Sequence, residues 1–299
     1  MASRVPAPAY FGVSAVFHYL GPALAVLLFA RVDVVGVAWL RIASAAAVFA
    51  AWRRPWRLFG LMTAEQRRLL LALGAVLAVM NTAFYLAVDR LPLSTVGAIE
   101  FLGTIVLAAA GARTRRNLLA LLLAVAGVYA LTDVRLAGEP VGFGFAFANC
   151  ALFTLYVLLG HRIANTGGVE GIDQLGAAML VAAAVATPYG LPHALGAFTH
   201  PLLLLAGAGV GICSSVIPYV TDQLAMARLR RATFALMLSI LPAAATVIGA
   251  VVLTQVPTAQ DLAGIALVAA GIALHQQESQ QKTKQEEKAW NTSALARQG

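Results

Sequence analysis

Charged residues are scarce in this sequence. Only 11% of its 299 residues are Asp, Glu, Lys or Arg, 60% are hydrophobic, and the mean hydropathy is +0.81. A soluble domain carries about 25% charged residues, so this chain has too few polar side chains to cover a surface that faces water. Apolar stretches of roughly 18 residues or more recur along it, each long enough to cross a hydrocarbon core of ~30 Å. The composition excludes an ordinary soluble domain and predicts an all-α polytopic membrane protein.

Motifs of common catalytic and nucleotide-binding sites are also missing. The sequence has no Walker-type GxxxxGK[ST] stretch and no HExxH, and its five histidines are scattered. Its two cysteines, Cys150 and Cys213, fall in apolar segments and are interpreted as small buried residues. We therefore predict no metal, no cofactor and no ATP hydrolysis by this chain. An intramembrane enzyme is the weaker alternative, because no nucleophile with a base is evident.

The positive charge of the chain is distributed in a way that indicates topology. If the N-terminus is cytoplasmic, the inner segments hold 17 of the 21 Lys and Arg residues. The outer loops hold only Arg31, Arg90 and Arg135, and Arg41 lies within a span. Cytoplasmic loops are enriched in Lys and Arg. We therefore predict a multi-pass protein of the bacterial inner membrane with both termini in the cytoplasm, embedded in the lipid bilayer and without a nucleic-acid partner.

Ten apolar spans are predicted, with short linkers between them. The first is too long for the core of a signal peptide and lacks a following cleavage site, so it is interpreted as a retained span. The polar stretch 276–299 is predicted to be a frayed or disordered cytoplasmic tail. The spans lie near residues 10–29, 34–52, 69–88, 93–110, 117–132, 141–161, 171–190, 201–222, 232–253 and 258–275.

An internal repeat underlies these spans. The segment “AVDRLPLSTVGA” (87–98) aligns with “AMARLRRATFAL” (225–236), which matches Arg90 with Arg228 and Thr95 with Thr233. Five spans per repeat is an odd number, so the second repeat enters the membrane upside down. Inverted repeats are typical of secondary transporters that bind substrate near the midplane and open alternately to each side. A channel is the alternative. The predicted units are a first repeat (1–135), a second repeat (136–275) and the tail.

Several stretches resemble a known family. “SSVIPY” (214–219), “MLSILPA” (237–243) and “AIEFLG” (98–103) are similar to the drug/metabolite transporter superfamily of the EamA type. Within it these stretches resemble the threonine/homoserine exporters, and the overall chain resembles the aromatic amino-acid exporters of the YddG type. The resemblance implies a secondary transporter that exports amino acids, aromatic and other neutral ones, with broad specificity. A ten-span carrier can work alone, so we predict a monomer. Efflux of drugs or other small metabolites is the alternative, since a fold says little about its cargo.

Two positions depart from the pattern of that family. Members often carry a Gly-Glu pair after the fourth or ninth span, and commonly Gly-Pro after “EF” in the fourth. Here Gln255 stands near the expected Glu, and Thr104 replaces the Pro. A mechanism therefore does not transfer position by position from another member.

Two opposite charges are predicted at the same depth in the membrane. Glu100 and Arg41 each lie about seven residues inside the outer end of a span, or roughly 10 Å deep. A lone charge there costs about 2.5–3.5 kcal/mol or more, and pairing lowers that cost for both partners. We predict an Arg41–Glu100 ion pair. It is either a structural link between helices or a site where one partner contacts a zwitterionic substrate or a coupling proton.

Polar and aromatic residues form stripes on three otherwise apolar spans. Asn149, Phe153 and Tyr156 follow the helical spacing i, i+4, i+7, and similar stripes occur in the third and eighth spans. The stripes either join helices or form the wall of a central cavity. The predicted substrate-binding residues are Asn81, Phe84, Tyr85, Glu100, Phe101, Asn149, Phe153, Tyr156, Tyr219 and Ser239.

Proline and histidine add candidates for movement and proton transfer. Pro22, Pro218 and Pro242 lie inside predicted spans, where proline frees a carbonyl and kinks a helix, so they are predicted hinges. His18 is either a satisfied buried histidine or a proton carrier. Ser239 either bonds to its own helix backbone or lines the transport pathway.

Overall fold

The computed structural model describes residues 7–103, 105–106, 114–132, 139–165, 171–226 and 240–274. Within these ranges the chain is helical, with only turns and short connections between helices. In the described part of the chain, six helices are long and apolar enough to cross a membrane, and two further apolar helices are shorter. The prediction of an all-helical membrane protein is confirmed at this level.

The helices carry the labels α1 to α10 in chain order. The eighth is interrupted by one π-helical turn, Ile212–Val216, which divides it into two α-helical parts. The bounds are α1 Ala7–Leu28, α2 Val34–Arg53, α3 Ala64–Val88, α4 Leu93–Glu100, α5 Arg115–Thr132, α6 Pro140–Asn165, α7 Gly171–Ala194, α8 Pro201–Gly211 and Ile217–Met226, α9 Leu241–Leu253 and α10 Ala259–Leu274.

Two of the predicted spans are only partly covered by the described residues. α4 has 8 residues, whereas the prediction places a span over 93–110. Residues 104 and 107–113 lie outside the described ranges, and so do residues 227–239 at the start of the ninth predicted span. The arrangement of ten spans in two repeats therefore stays a prediction at this level.

Local chemistry explains where several helices begin and end. The Asp33 carboxylate accepts a backbone N–H of the first turn of α2 at 2.9 Å. Thr63 and Gln66 form a reciprocal capping box at the start of α3. Arg54 and Thr254 end α2 and α9 in the left-handed conformation, with φ of 50° and 55°. These caps satisfy terminal backbone groups that have no partner within the helix and none in lipid.

α2 and α7 form a close helix pair along their whole length. A Cβ on Gly36 would lie 2.5 Å from the His193 carbonyl oxygen, and a Cβ on Gly190 would lie 2.5 Å from the Trp39 Cβ. Only glycine allows this approach. The Trp39 indole also donates to the Thr187 hydroxyl at 3.0 Å. The pair is thus held by backbone proximity and by a polar bond within the membrane.

Contacts between polar side chains join the same two helices at both ends. Arg53, the last residue of α2, pairs with Asp173 in the first turn of α7. At the opposite end, His193 lies 3.3 Å from Asp33. Each pair bridges the end of one helix to the beginning of the other, so α2 and α7 run antiparallel.

The other helices pack around this pair. α3 packs against α6 and α7, and α8 packs against α1 and α2. α4 lies against α6, α9 lies against α1, and α4 and α9 contact each other. α5 meets α10 closely, since a Cβ on Gly127 would lie 2.5 Å from the Gly264 carbonyl oxygen. This arrangement leaves the inner faces of α1, α2, α3, α4, α6 and α8 around a common centre.

The three predicted hinge prolines occupy different helical contexts. Pro22 lies inside α1, and Pro218 is the second residue of the α-helical part of α8 that follows the π-turn. Pro242 lies in the first turn of the described part of α9, a position that tolerates proline because its missing N–H has no intrahelical partner there. The described part of α9 therefore gives Pro242 no interior kink, and movement at any of the three remains a prediction.

Candidate functional site

A small cavity lies at the common centre of six helices. Its volume is about 50 Å³, room for a few water molecules and well below the roughly 300 Å³ of a typical ligand pocket. The space between these helices is therefore much smaller than a pocket that holds a ligand. The lining residues are His18 and Pro22 from α1, Arg41 from α2, Met80, Asn81 and Phe84 from α3, Glu100 from α4, Asn149, Phe153 and Tyr156 from α6, and Tyr219 from α8.

Arg41 reaches the cavity from α2 and is anchored on α8. Its side chain is only 7% exposed. Nε donates to the Ser215 hydroxyl at 3.1 Å, and Nη2 donates to the Ser214 carbonyl at 3.3 Å. Its Cζ lies 5.2 Å from the centre of the Tyr85 ring, a cation–π distance. Both serine contacts come from the π-helical turn, a feature that is frequent at functional sites.

Glu100 reaches the cavity from the end of α4 and is held by α6. Its side chain is 6% exposed, and Oε1 accepts the side-chain amide of Asn149 at 3.3 Å. Asn149 is fully buried, and its Oδ1 has no hydrogen-bond partner in the described part of the chain. The carboxyl group and this amide oxygen thus place two acceptors next to each other on the cavity wall.

The predicted direct ion pair between Arg41 and Glu100 is absent among the described residues. The structure contains no contact between them within the 4.0 Å limit of a salt bridge. Hydrogen bonds explain the difference: Arg41 is drawn to the π-turn of α8, whereas Glu100 is drawn to Asn149 on α6. Both side chains nevertheless line one cavity, so the two charges face a shared space instead of each other.

Aromatic and apolar side chains form the rest of the wall. Phe153 stacks with Tyr156 at 6.3 Å between ring centres and meets Phe101 edge to face at 5.8 Å. Phe84 and Met80 belong to the same wall. Asn81 uses its amide nitrogen on the backbone of its own helix, donating to the Leu77 carbonyl at 2.7 Å. The wall of the cavity therefore combines charged and polar groups with apolar, largely aromatic side chains.

The structure separates the predicted substrate-binding residues into three groups. Phe101 lies one layer behind the cavity against Phe153, and Tyr85 lies behind Arg41. Ser239 lies outside the described residues. The predicted residues that line the cavity are Asn81, Phe84, Glu100, Asn149, Phe153, Tyr156 and Tyr219.

The prediction missed several lining residues. His18, Pro22 and Met80 were not among the predicted binding residues. Arg41 was predicted as a member of the ion pair, with contact to a zwitterionic substrate as one of the two roles left open for that pair. The internal repeat could have indicated His18. The alignment that matches Arg90 with Arg228 also matches His18 with Tyr156, which was predicted to bind substrate. Met80 could have been predicted from Phe84, because residues four positions apart lie on the same face of a helix.

Comparisons with known proteins give the family. No family model matches the chain. The threonine/homoserine exporter RhtA of Salmonella typhimurium (strain SL1344) is 33% identical over 260 residues, which cover 84% of this chain and 85% of the relative. RhtA of Escherichia coli (strain K12) is 32% identical over 259 residues, with coverage of 84% and 85%.

A solved structure supports the fold alone. It is described as the crystal structure of a protein, and it matches with a TM-score of 0.55 at 19% identity, over 89% of this chain and 96% of that one. The identity and coverage of the curated relatives show that the chain belongs to the RhtA family of threonine/homoserine exporters, within the drug/metabolite transporter superfamily.

Proposed function

We propose that this protein exports neutral amino acids across the bacterial inner membrane as a secondary transporter. The observation that carries the proposal is the placement of Arg41 and Glu100 on one buried cavity without contact between them. An amino acid is a zwitterion and presents both opposite charges to a site of this kind. The names of the relatives, both threonine/homoserine exporters, support the same class of cargo.

The substrate carboxylate binds at Arg41. A guanidinium has five N–H donors, and the Ser214 and Ser215 contacts engage Nε and Nη2 only. The guanidinium also donates to the Tyr219 hydroxyl, which lines the cavity. The N–H groups that remain are available to a substrate carboxylate. Charge-assisted bonds from a guanidinium to a carboxylate are among the stronger hydrogen bonds in proteins, and they gain strength where water is excluded.

The substrate ammonium binds at Glu100 and Asn149. An ammonium group has three donors and no acceptor. Glu100 supplies carboxyl oxygens, and Asn149 supplies an Oδ1 that has no partner among the described residues. A bound ammonium would satisfy this buried oxygen, which otherwise loses the hydrogen bond it had to water.

The wall sets the class of side chain that the site accepts. Phe84, Phe153 and Tyr156 offer apolar faces, which suit neutral side chains and oppose a second charge. We propose broad specificity over threonine, homoserine and aromatic amino acids. Efflux of drugs or other small metabolites is the second candidate, favoured by the same aromatic wall.

The contacts between helices support two inverted repeats of five spans each, over 1–135 and 136–275. If α6 to α10 repeat α1 to α5, the packing of α3 on α6 and α7 corresponds to that of α8 on α1 and α2. The packing of α4 on α6 corresponds to that of α9 on α1. The pairs α2–α7, α4–α9 and α5–α10 join equivalent helices to each other.

Residues on the cavity wall support the same symmetry. The alignment of the repeats matches His18 with Tyr156 and Asn81 with Tyr219, and all four side chains line the cavity. The charges break the symmetry, because the same alignment matches Arg41 with a methionine and Glu100 with a leucine. The two repeats thus share a scaffold, but the first supplies both charges of the site.

We propose that transport occurs by alternating access around this cavity. The present cavity of about 50 Å³ is too small for an amino acid, so substrate entry requires helices to separate. α2 and α7 are joined at both ends and in the middle, which makes them the axis about which the other helices move. The chain is proposed to work as a monomer. Both termini are proposed to lie in the cytoplasm, in accord with the distribution of Lys and Arg.

Counterflow in proteoliposomes tests the function. Vesicles containing purified protein are loaded with unlabelled threonine and diluted into a trace of labelled threonine. A carrier produces transient, saturable accumulation that empty vesicles lack, and homoserine and phenylalanine in the external medium reduce it. If lipophilic drug cations compete and no neutral amino acid does, the efflux alternative replaces amino-acid export. Flux without saturation or counterflow would indicate a channel.

A further inference from the structure

The π-helical turn of α8 carries two adjacent serines that differ in what they do. Ser214 and Ser215 are each 1% exposed. The Ser215 hydroxyl accepts Nε–H of Arg41 at 3.1 Å. Ser214 contacts the same guanidinium through its backbone carbonyl at 3.3 Å, whereas its hydroxyl has no hydrogen-bond partner in the described part of the chain. Only one of the two side chains therefore acts on Arg41.

We propose that Ser215 is a positioning residue for substrate binding, which fixes the Arg41 guanidinium so that its free donors meet the substrate carboxylate. The inference rests on the proposed function, because it assigns to Arg41 the role of carboxylate ligand. Ser215 itself does not line the cavity.

The need for a positioning residue follows from the properties of arginine. A long side chain loses rotamer freedom when it binds a ligand, and a site that orders it in advance binds more tightly. The planar guanidinium also has a directional set of donors. The Ser215 bond and the Tyr85 ring, 5.2 Å from Cζ, restrict that plane from two sides.

The backbone around the π-turn brings the serines within reach of Arg41. A Cβ on Gly211 would lie 2.5 Å from the Arg41 carbonyl oxygen, and a Cβ on Gly21 would lie 2.6 Å from the Ser214 Cα. The backbone of α8 is thus packed closely against α2 on one side and against α1 on the other. The π-turn widens the helix locally at the point where Ser214 and Ser215 provide acceptors for Arg41.

The test compares Ser215→Ala with the matched control Ser214→Ala. Each variant removes one buried hydroxyl from the same turn, but only Ser215→Ala removes an acceptor of Arg41. Inhibition constants for threonine and for threoninol, its amino alcohol without a carboxylate, are measured by counterflow in proteoliposomes. The ratio of the two constants reports how strongly the carboxylate is recognised, and it does not depend on the amount of folded protein.

The loss of one hydrogen bond to a charged group changes a binding constant by roughly tenfold, and it would change this ratio by the same factor. We expect Ser215→Ala to weaken threonine binding by about that factor, to leave threoninol binding unchanged, and to leave turnover at saturation near that of the unmodified protein. Ser214→Ala should keep the original ratio. If Ser215→Ala keeps it too, while Arg41→Gln abolishes the preference for threonine, Ser215 does not position Arg41. If Arg41→Gln also leaves the ratio unchanged, the proposed role of Arg41 itself is wrong.

Discussion

Asn149 on α6 donates its side-chain amide to Glu100 on α4 at 3.3 Å, and both side chains are buried. This bond links two helices that the proposed symmetry assigns to different repeats. It also fixes a carboxyl group at the edge of the central cavity, on the wall that Arg41 shares. Stability and substrate binding therefore depend on the same two side chains.

The bond between Asn149 and Glu100 predicts a non-additive effect on stability. Asn149→Ala leaves the carboxyl group of Glu100 without its partner, and a buried polar group left unpaired costs about 1–3 kcal/mol. The double variant Asn149→Ala, Glu100→Ala removes both partners, so it should be less destabilised than the sum of the single variants. Thermal unfolding of the purified proteins in detergent measures this. Additive losses would mean that the bond contributes nothing.

Close approach between α1 and α8 predicts opposite results for two glycines of one helix. A Cβ on Gly21 would lie 2.6 Å from the Ser214 Cα, whereas a Cβ on Gly12 meets no described atom within 4 Å. Gly21→Ala forces the two backbones apart and should destabilise by about 1–3 kcal/mol. Gly12→Ala should be neutral or slightly stabilising because alanine favours helix. Unfolding temperatures give the comparison, and equal effects of the two changes would contradict the packing described.

Gln255 stands near a position where members of the family often carry Glu, and its contact with α4 predicts how substitutions there affect stability. Its Oε1 accepts the backbone N–H of Leu93 at the start of α4, at 3.1 Å. Gln255→Ala should cost about 1 kcal/mol, since it leaves a terminal N–H unpaired. Gln255→Glu keeps an acceptor and adds a negative charge beside a helix N-terminus, so stability should be maintained or increased. Destabilisation by Glu as large as that by Ala would show that an acceptor at this position is not what stabilises α4.

The sequence predicted the membrane class and much of the cavity wall, because those features follow from local patterns. Apolar length gives the spans, and the i, i+4, i+7 spacing of Asn149, Phe153 and Tyr156 puts them on one helical face. The depth of Arg41 and Glu100 follows from counting residues along two spans. Both charges do line the same cavity.

Contacts between segments that are distant in the sequence could not be predicted from local patterns. The sequence contains no sign that α8 has a π-turn, and the Arg41 bonds to Ser214 and Ser215 depend on that turn. With that anchor unknown, a direct Arg41–Glu100 ion pair was the simplest way to lower the cost of two buried charges. Tyr85 was assigned to the wall for its spacing from Asn81, but it faces the guanidinium from behind.

The central claim is that a zwitterion lies between Arg41 and Glu100, with its carboxylate on the first and its ammonium on the second. The test is competition against labelled threonine by two analogues, threoninol, which lacks the carboxylate, and N-acetylthreonine, which lacks the ammonium. Each is measured on the unmodified protein, Arg41→Gln and Glu100→Gln, all in proteoliposomes.

The unmodified protein should bind threonine at least roughly tenfold more tightly than either analogue, the factor expected for one charge-assisted contact. Arg41→Gln should lose only the discrimination against threoninol, and Glu100→Gln should lose only the discrimination against N-acetylthreonine. If both variants discriminate against both analogues as the unmodified protein does, the two charges do not hold the substrate and the account is contradicted.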